Sequence, residues 1–351
     1  TSNVAVGYAA LDANTTGAEN TAVGYQSLSA NTTAQQNTAI GRLALLLNTT
    51  GSHNVAVGSA TLDANTTGEY NVAVGNAALG ANTTADNNTA VGYSALAANT
   101  TGTGNTVVGM QAGDAITTGA SHTLMGKSSG TAITTCEENA FFGFATGNSV
   151  TTGSYNTFLG SHAGTYGVAT TTGIRNICIG TYPHTSAVDS QKQHVMGYNV
   201  VGAADSSFTF GDGSTDSSIS FGATSITAPS DVRLKEDIQD EEVGLSFIND
   251  LRPVTFRWKK EKDIPSDMRA HVADSEERVM NGKYNHGFIA QEVKEVIDNH
   301  NLKDGFDMWT EDETDGRQRL GEGALMSVMV KAVQELSAKV EVLEKQLNNK
   351  E

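Results

Sequence analysis

Apolar and polar positions alternate on a fixed beat through the first two hundred residues. The unit Asn3-Val4-Ala5-Val6-Gly7 returns with small changes from Asn20, Asn37, Asn54, Asn71, Asn88 and Asn105, 17 residues apart each time. It continues in a more diverged form from His122, Asn139 and Asn156, takes one longer step to Asn176, and resumes at Gln193. A glycine keeps the same beat from Gly7 to Gly197, and a Thr-Thr pair from Thr15 to Thr151. Such a period is too short for two helices and a turn, but it suits one coil of a β-solenoid. Val4 and Val6 flank Ala5 as strand alternation requires, and Gly7 frees the backbone to turn. Ala9-Ala10-Leu11 predicts a second short strand that buries its leucine. Asn14-Thr15-Thr16-Gly17 predicts the next turn. Stacked coils would place Asn over Asn and Thr over Thr, in hydrogen-bonded ladders. Twelve such coils predict a rod roughly 50–60 Å long.

The beat stops near residue 202. Phe208/Phe210, Ile219/Phe221 and Ile226 form short alternating pieces among Ser, Gly, Asp and Thr, which predicts one or two β-hairpins and then an extended connector. Pro229 biases Ala228 to an extended conformation. At the far end Met326, Met329, Val333, Leu336, Val340, Leu343 and Leu347 follow steps of three and four. They predict an a/d coiled-coil seam; Val at a with Leu at d by itself favours two strands. The chain therefore divides into a mostly β repeat region (1–202), a β-rich connector (203–229), an α+β domain (230–323) and a C-terminal coiled-coil helix (324–351).

Charge sharpens this division. Residues 1–229 hold 12 of the 39 acidic and 4 of the 22 basic side chains, and residues 230–351 hold the rest. Neither part carries a basic patch, so nucleic acid is not an expected partner. No apolar run reaches the roughly 18 residues that span a bilayer, so no membrane insertion is expected, and no signal peptide is visible at the start. The chain begins inside a repeat, as a fragment of a longer chain would. Cys136 and Cys178 stand in no metal-ligand spacing and are expected as buried free thiols; no metal and no cofactor is expected. The Asn-Thr-Thr units from Asn14 to Asn99 match the N-glycosylation pattern, but their recurrence at one repeat position favours turn chemistry. The Thr columns are likewise expected to be structural ladders rather than an ice-binding array.

The repeats resemble the head repeats of trimeric autotransporter adhesins, which carry related Asn-x-x-Ala-Ile/Val-Gly units. That resemblance implies a trimeric β-solenoid over about residues 1–200. It leaves open whether each chain coils alone or three wind together. The charged region opens with Ser230-Asp231-Val232-Arg233-Leu234-Lys235-Glu236-Asp237-Ile238. Leu251-Arg252-Pro253-Val254-Thr255-Phe256-Arg257-Trp258, then His286-Gly287-Phe288-Ile289-Ala290-Gln291-Glu292-Val293, then Met329-Val330-Lys331-Ala332-Val333-Gln334-Glu335-Leu336 follow in order. Together they resemble the self-cleaving intramolecular chaperone domain at the ends of trimeric phage tail fibres and tailspikes. The second block would be a strand, the third a helix start and the fourth the start of the terminal helix.

The chemistry of the first block can be argued from its side chains. A serine hydroxyl is a weak nucleophile until a base takes its proton. Lysine is such a base only when burial or a neighbouring cation keeps it neutral. Ser230 and Lys235 are close enough in sequence for a turn to join them, and Arg233 could hold Lys235 neutral or pair with Asp231. The resemblance implies a Ser-Lys dyad that cuts before the serine, at Pro229–Ser230, releasing residues 230–351; His286 is a further supporting candidate. The competing reading makes Ser230 and Asp231 the N-cap and acidic first turn of a helix.

These readings imply a homotrimeric virion fibre or spike fragment, made in the host cytoplasm, that attaches to a host-surface receptor or glycan of unknown identity. A slow-folding, non-local solenoid would be nucleated by the C-terminal domain and locked when that domain is cut away. The alternatives are a non-cleaving adhesin or fibre whose C-terminal domain is only a trimerisation cap, and a glycan-degrading spike. The last needs paired carboxylates, and acids on the repeats are sparse.

Overall fold

The computed structural model describes residues 2–349 except 214, 229, 269, 303–305 and 313–315. The chain divides into two compact units, Thr1–Asp231 and Val232–Glu351.

The first unit is a β-solenoid. Its strands are β1 (Val4–Val6), β2 (Thr21–Val23), β3 (Thr38–Ile40), β4 (Val55–Val57), β5 (Val72–Val74) and β6 (Thr89–Val91). They continue as β7 (Thr106–Val108), β8 (Thr123–Met125), β9 (Ala140–Phe142), β10 (Thr157–Leu159), β11 (Ile177–Ile179) and β12 (Gln193–Tyr198). Each pairs in parallel with its neighbours in chain order, residue over equivalent residue, such as Ala5 with Ala22. One chain therefore makes every coil by itself. The predicted hairpin follows: β13 (Ser207–Asp212) joins β12 in parallel, and β14 (Thr215–Ser220) returns antiparallel to it.

Each coil carries one strand rather than the expected two. Where the second was predicted, the backbone enters the left-handed region at non-glycine residues, such as Gln26 (φ 52) and Leu28 (φ 52), and again at Gln36 (φ 58). Such residues cost roughly 1–3 kcal/mol each. The strain is offset by bonds between coils: Gln26 N–H donates to Tyr8 C=O at 2.8 Å, Leu28 N–H to Ala44 C=O at 2.9 Å and Gln36 N–H to Ala18 C=O at 3.1 Å. The glycine column has a different cause. Gly24 has φ 141, and a Cβ there would lie 2.3 Å from the Gly41 carbonyl oxygen, so only glycine permits the stacking.

Two asparagine columns tie the coils together. In the column that precedes each strand, Asn20 Nδ2 donates to Ala34 C=O at 2.9 Å and Asn20 Oδ1 accepts the Asn37 N–H at 3.0 Å. In the turn column, Asn31 Nδ2 reaches the same Ala34 carbonyl at 3.2 Å and Asn14 Oδ1 at 2.8 Å. The turn column runs to Asn99 and stops, because Ile116 occupies the next rung. Asn99 Oδ1 is accordingly the one buried side-chain oxygen or nitrogen among the described residues that lacks a hydrogen-bond partner. The first threonine of each pair forms the expected ladder, as in Thr32 Oγ1 donating to Thr49 C=O at 3.1 Å.

The core changes its filling partway along. Through β6, alanine stands at the strand centre and leucine at the following turn, as in Ala90 and Leu96, both fully buried. From β7 to β10 the strand centres are Val107, Leu124, Phe141 and Phe158, and the turn residues are Gly113, Gly130, Gly147 and Gly164. Volume lost at one position is regained at the other, which keeps packing density level. The Phe141 and Phe158 rings stack at 4.8 Å.

The second unit is a small α/β fold. It comprises α1 (Leu245–Asp250), β15 (Val254–Phe256), β16 (Asn285–Gly287), α2 (Ala290–Asn299), β17 (Trp309–Glu311), β18 (Gln318–Leu320) and α3 (Leu325–Asn348). Phe247, Val293, Ile297, Met308, Leu325 and Val328 form its core.

Candidate processing site

Ser230 and Asp231 close the first unit; Ser230 is exposed and Asp231 half-buried. Pro229, on the other side of the expected scissile bond, lies outside the described residues. The second unit opens with a 3-10 turn over Val232–Leu234, closed by Lys235 N–H donating to Val232 C=O at 3.2 Å. Arg233 and Lys235 are exposed. The helical turn that Ser230 and Asp231 precede is this single 3-10 turn, and no α-helix starts before Leu245.

The later sequence blocks assemble with one another. β15 carries Val254-Thr255-Phe256 of the second block and β16 carries His286-Gly287 of the third; they pair antiparallel, Val254 with Gly287 and Thr255 with His286. An ion pair joins the same two blocks: Arg252 Nε donates to Glu292 Oε2 at 2.9 Å, and the guanidinium makes a second bond to Oε1. Hydrogen bonding from Arg252 lowers the Glu292 carboxyl below its ordinary range. His286 itself is exposed at the centre of β16. In the loop between β15 and β16, Lys260 and Lys262 both bind Glu276 and bring its carboxyl down to about 2.

α3 supplies a contact that the sequence reading missed. α1 begins after Gly244, which has no side chain to cap it. Glu335 of α3 does so instead, its Oε2 accepting the Leu245 N–H at 2.9 Å. A Cβ at Gly244 would lie 2.8 Å from Glu335 Oε1, so the glycine makes room for the cap. Sequence offers only a glycine ahead of a short apolar run and an acid 90 residues later on the terminal helix, with nothing local to pair them. The predicted seam residues Met326, Met329, Val333, Leu336, Val340, Leu343 and Leu347 are all exposed on α3. Met329, Val333 and Leu336 border a groove with Leu245 and Ile248 of α1.

Residues 230–302 match the family described as chaperone of endosialidase. The match opens at Ser230 and takes in the first three sequence blocks; the terminal-helix block at 329–336 lies beyond it. No curated protein and no solved structure matches the chain. The matched region thus follows, in sequence, a solenoid of about twelve coils and the β13–β14 hairpin.

Other candidate chemistry is settled by geometry. Asn31, Asn48, Asn65, Asn82 and Asn99 are buried, and their amide nitrogens are committed to the ladder, so turn structure explains the Asn-Thr-Thr units. Cys136 and Cys178 are buried free thiols; burial pushes Cys136 up to about 11 and Cys178 higher still, which keeps both unreactive. Among the described residues no helix is long and apolar enough to cross a membrane.

Proposed function

We propose that this chain is part of a tail fibre or spike whose C-terminal unit brings three copies into register, helps the solenoid to fold, and then separates from it by cutting before Ser230. The observation that carries this reading is the endosialidase-chaperone match that opens at Ser230, C-terminal to the solenoid and its closing hairpin. In the proposed reaction Lys235 takes the proton from Ser230 Oγ, which attacks the carbonyl carbon of Pro229. The Pro229–Ser230 C–N bond breaks, and the amide nitrogen takes up a proton to become a new amino terminus. Water then hydrolyses the ester, leaving a carboxylate on Pro229 and a free hydroxyl on Ser230. Asp231, Arg233 and His286 are candidates to orient or tune this pair.

Lysine serves as a base only where it is stripped of water, and Lys235 is exposed in the single chain. The reaction is therefore expected to wait until neighbouring copies cover the site, which would make cutting a check on assembly. The exposed seam of α3 is the proposed trimer contact of this unit, and host attachment by the solenoid part is the proposed purpose, on the virion.

The test is the intact mass of the expressed chain beside Ser230→Ala and Lys235→Ala. Wild type should split into residues 1–229 and 230–351, and both variants should stay whole. A second reading, in which the unit is a permanent trimer cap, is favoured by the exposure of both dyad residues. A wild-type chain that forms trimers and stays whole would establish that cap and end the dyad assignment.

A further inference from the structure

The chain returns to the sheet just before the proposed cut. β14 is the last strand of the fourteen-stranded sheet, paired on one side with β13, where Ser218 stands opposite Thr209. On its other side Thr227 pairs antiparallel with Ser218. The two residues exchange both main-chain bonds: Ser218 N–H donates to Thr227 C=O at 2.7 Å, and Thr227 N–H donates to Ser218 C=O at 2.7 Å. Thr227 Oγ1 also donates to the Ser218 carbonyl at 3.0 Å and lies 3.0 Å from Ser218 Oγ. The chain reverses towards this point through a turn at Gly222 (φ 88), where Ala223 N–H donates to Ser220 C=O at 2.9 Å.

A returning segment can simply shield the free edge of a sheet. Thr227 is a poor shield. β14 runs from Thr215 to Ser220, and among the described residues only Ser218 has a bridge partner on that edge, one that is itself exposed. The place of the bridge in the chain explains it better. Thr227 stands two residues before Pro229, whose carbonyl the proposed reaction attacks. A peptide added to a sheet edge is held extended and in register by its main-chain bonds. Only Ala228 and Pro229 link Thr227 to the bond that breaks. Proline fixes its own φ and restricts the residue before it to extended backbone. Fixing Thr227 therefore narrows the positions open to the Pro229 carbonyl. Orientation of this kind is a large part of the gain in a reaction within one chain, and a displacement of about 1 Å can cost on the order of a hundredfold in rate.

We infer that the Ser218–Thr227 pair is a clamp for the cleavage segment, holding it as an added strand on β14 so that the Pro229–Ser230 bond is presented in extended form. This deepens the self-cutting reading above and rests on it. Ser218 and Thr227 are positioning residues, acting through Ala228 and Pro229 rather than on the reacting atoms. β14 pairs on β13, and β13 on β12, so the clamp closes only when the last coil of the solenoid is in place. Cutting is thereby tied to the folding of the part that stays behind. The clamp remains with residues 1–229 once the C-terminal unit has left.

The test follows cutting of the full chain by intact mass during cell-free synthesis. Thr227→Pro removes the N–H that Ser218 C=O accepts. Thr227→Val keeps it. One glycine inserted between Thr227 and Ala228 keeps the bridge but shifts its register with the cut by one residue, which turns the following residues to the opposite face. Thr227→Pro and the insertion should each slow cutting at least about tenfold. Thr227→Val should restore most of the rate lost in Thr227→Pro. Because proline and the insertion disturb one orientation, together they should be no more than about twofold slower than the slower of them alone, whereas independent defects would multiply.

If Thr227→Pro folds and cuts at the wild-type rate, the clamp is not needed and the inference fails while the self-cutting reading stands. Slowing that multiplies in the double variant, or Thr227→Val as slow as Thr227→Pro, also overturns it. A wild-type chain that stays whole removes both readings. Where Thr227→Pro lowers the melting temperature of the solenoid, the insertion, which leaves residues 1–227 unchanged, decides alone: slowed cutting upholds the clamp and wild-type cutting overturns it.

Discussion

Gly147 lies against the ring of Phe141, so closely that a Cβ on the glycine would come within 2.2 Å of ring carbon Cε2. Six residues separate them, as six separate Ala90 from Leu96, three coils earlier. The two pairs are alternative fillings of one cavity. Gly147→Leu should cost about 1–3 kcal/mol by overpacking, and Phe141→Ala about 3–5 kcal/mol by opening a cavity. The double variant restores the Ala/Leu filling. It should be at least about 1 kcal/mol more stable than the sum of the single effects predicts. Urea unfolding of the full chain checks this.

His122 stands in the asparagine column and does an asparagine's work. Its Nδ1 accepts the Asn139 N–H at 3.2 Å, and its Nε2 lies 2.9 Å from Cys136 C=O, as a donor would. Burial lowers its pKa to about 4, partly opposed by the bond to Cys136. The unfolded chain, near 6.5, binds the proton more readily. Stability from this group is therefore complete above about pH 6.5 and is lost as pH falls towards 4, by about 3 kcal/mol in all. Unfolding measured at pH 7 and pH 4.5 should show the loss, and His122→Asn should reduce it.

Asn71 shows what the ladder demands. Its Nδ2 donates to Ala85 C=O at 2.8 Å and its Oδ1 accepts the Asn88 N–H at 3.0 Å. Asn71→Asp would turn a buried donor into an acceptor facing a carbonyl and carry a charge inside. A loss of about 3–5 kcal/mol is expected, partly recovered in mild acid as the carboxyl protonates. Thermal unfolding at two pH values checks it.

Glu335 holds the start of α1 from across the second unit. Glu335→Ala should weaken that end by about 1 kcal/mol, as loss of a helix cap does, and Glu335→Gln by less, since an acceptor oxygen remains. Hydrogen exchange at the Leu245 amide should quicken about fivefold in the alanine variant.

The solenoid was legible because its period is local. A 17-residue beat places equivalent residues over one another whatever the rest of the chain does, and Asn, Gly and Thr at fixed offsets name their own ladders. The number of strands per coil was not legible. Ala9-Ala10-Leu11 has a strand-like pattern, and only inter-coil hydrogen bonds pull those residues into left-handed backbone. In the second unit, the motif blocks named β15, the start of α2 and α3 in advance. The pairing of β15 with β16, the Arg252–Glu292 bridge and the Glu335 cap join residues about 30 to 90 positions apart, and no local pattern encodes them.

By itself, then, the sequence determined the repeat, its stacking register, the boundary near residue 230 and the chemistry that Ser230 and Lys235 would need. Each follows from short-range spacing or from the nature of a side chain. Only the tertiary structure decided that one chain closes each coil and that core volume passes from turn to strand after β6. Those outcomes depend on which atoms compete for the same space, and that is settled only once the coils are stacked.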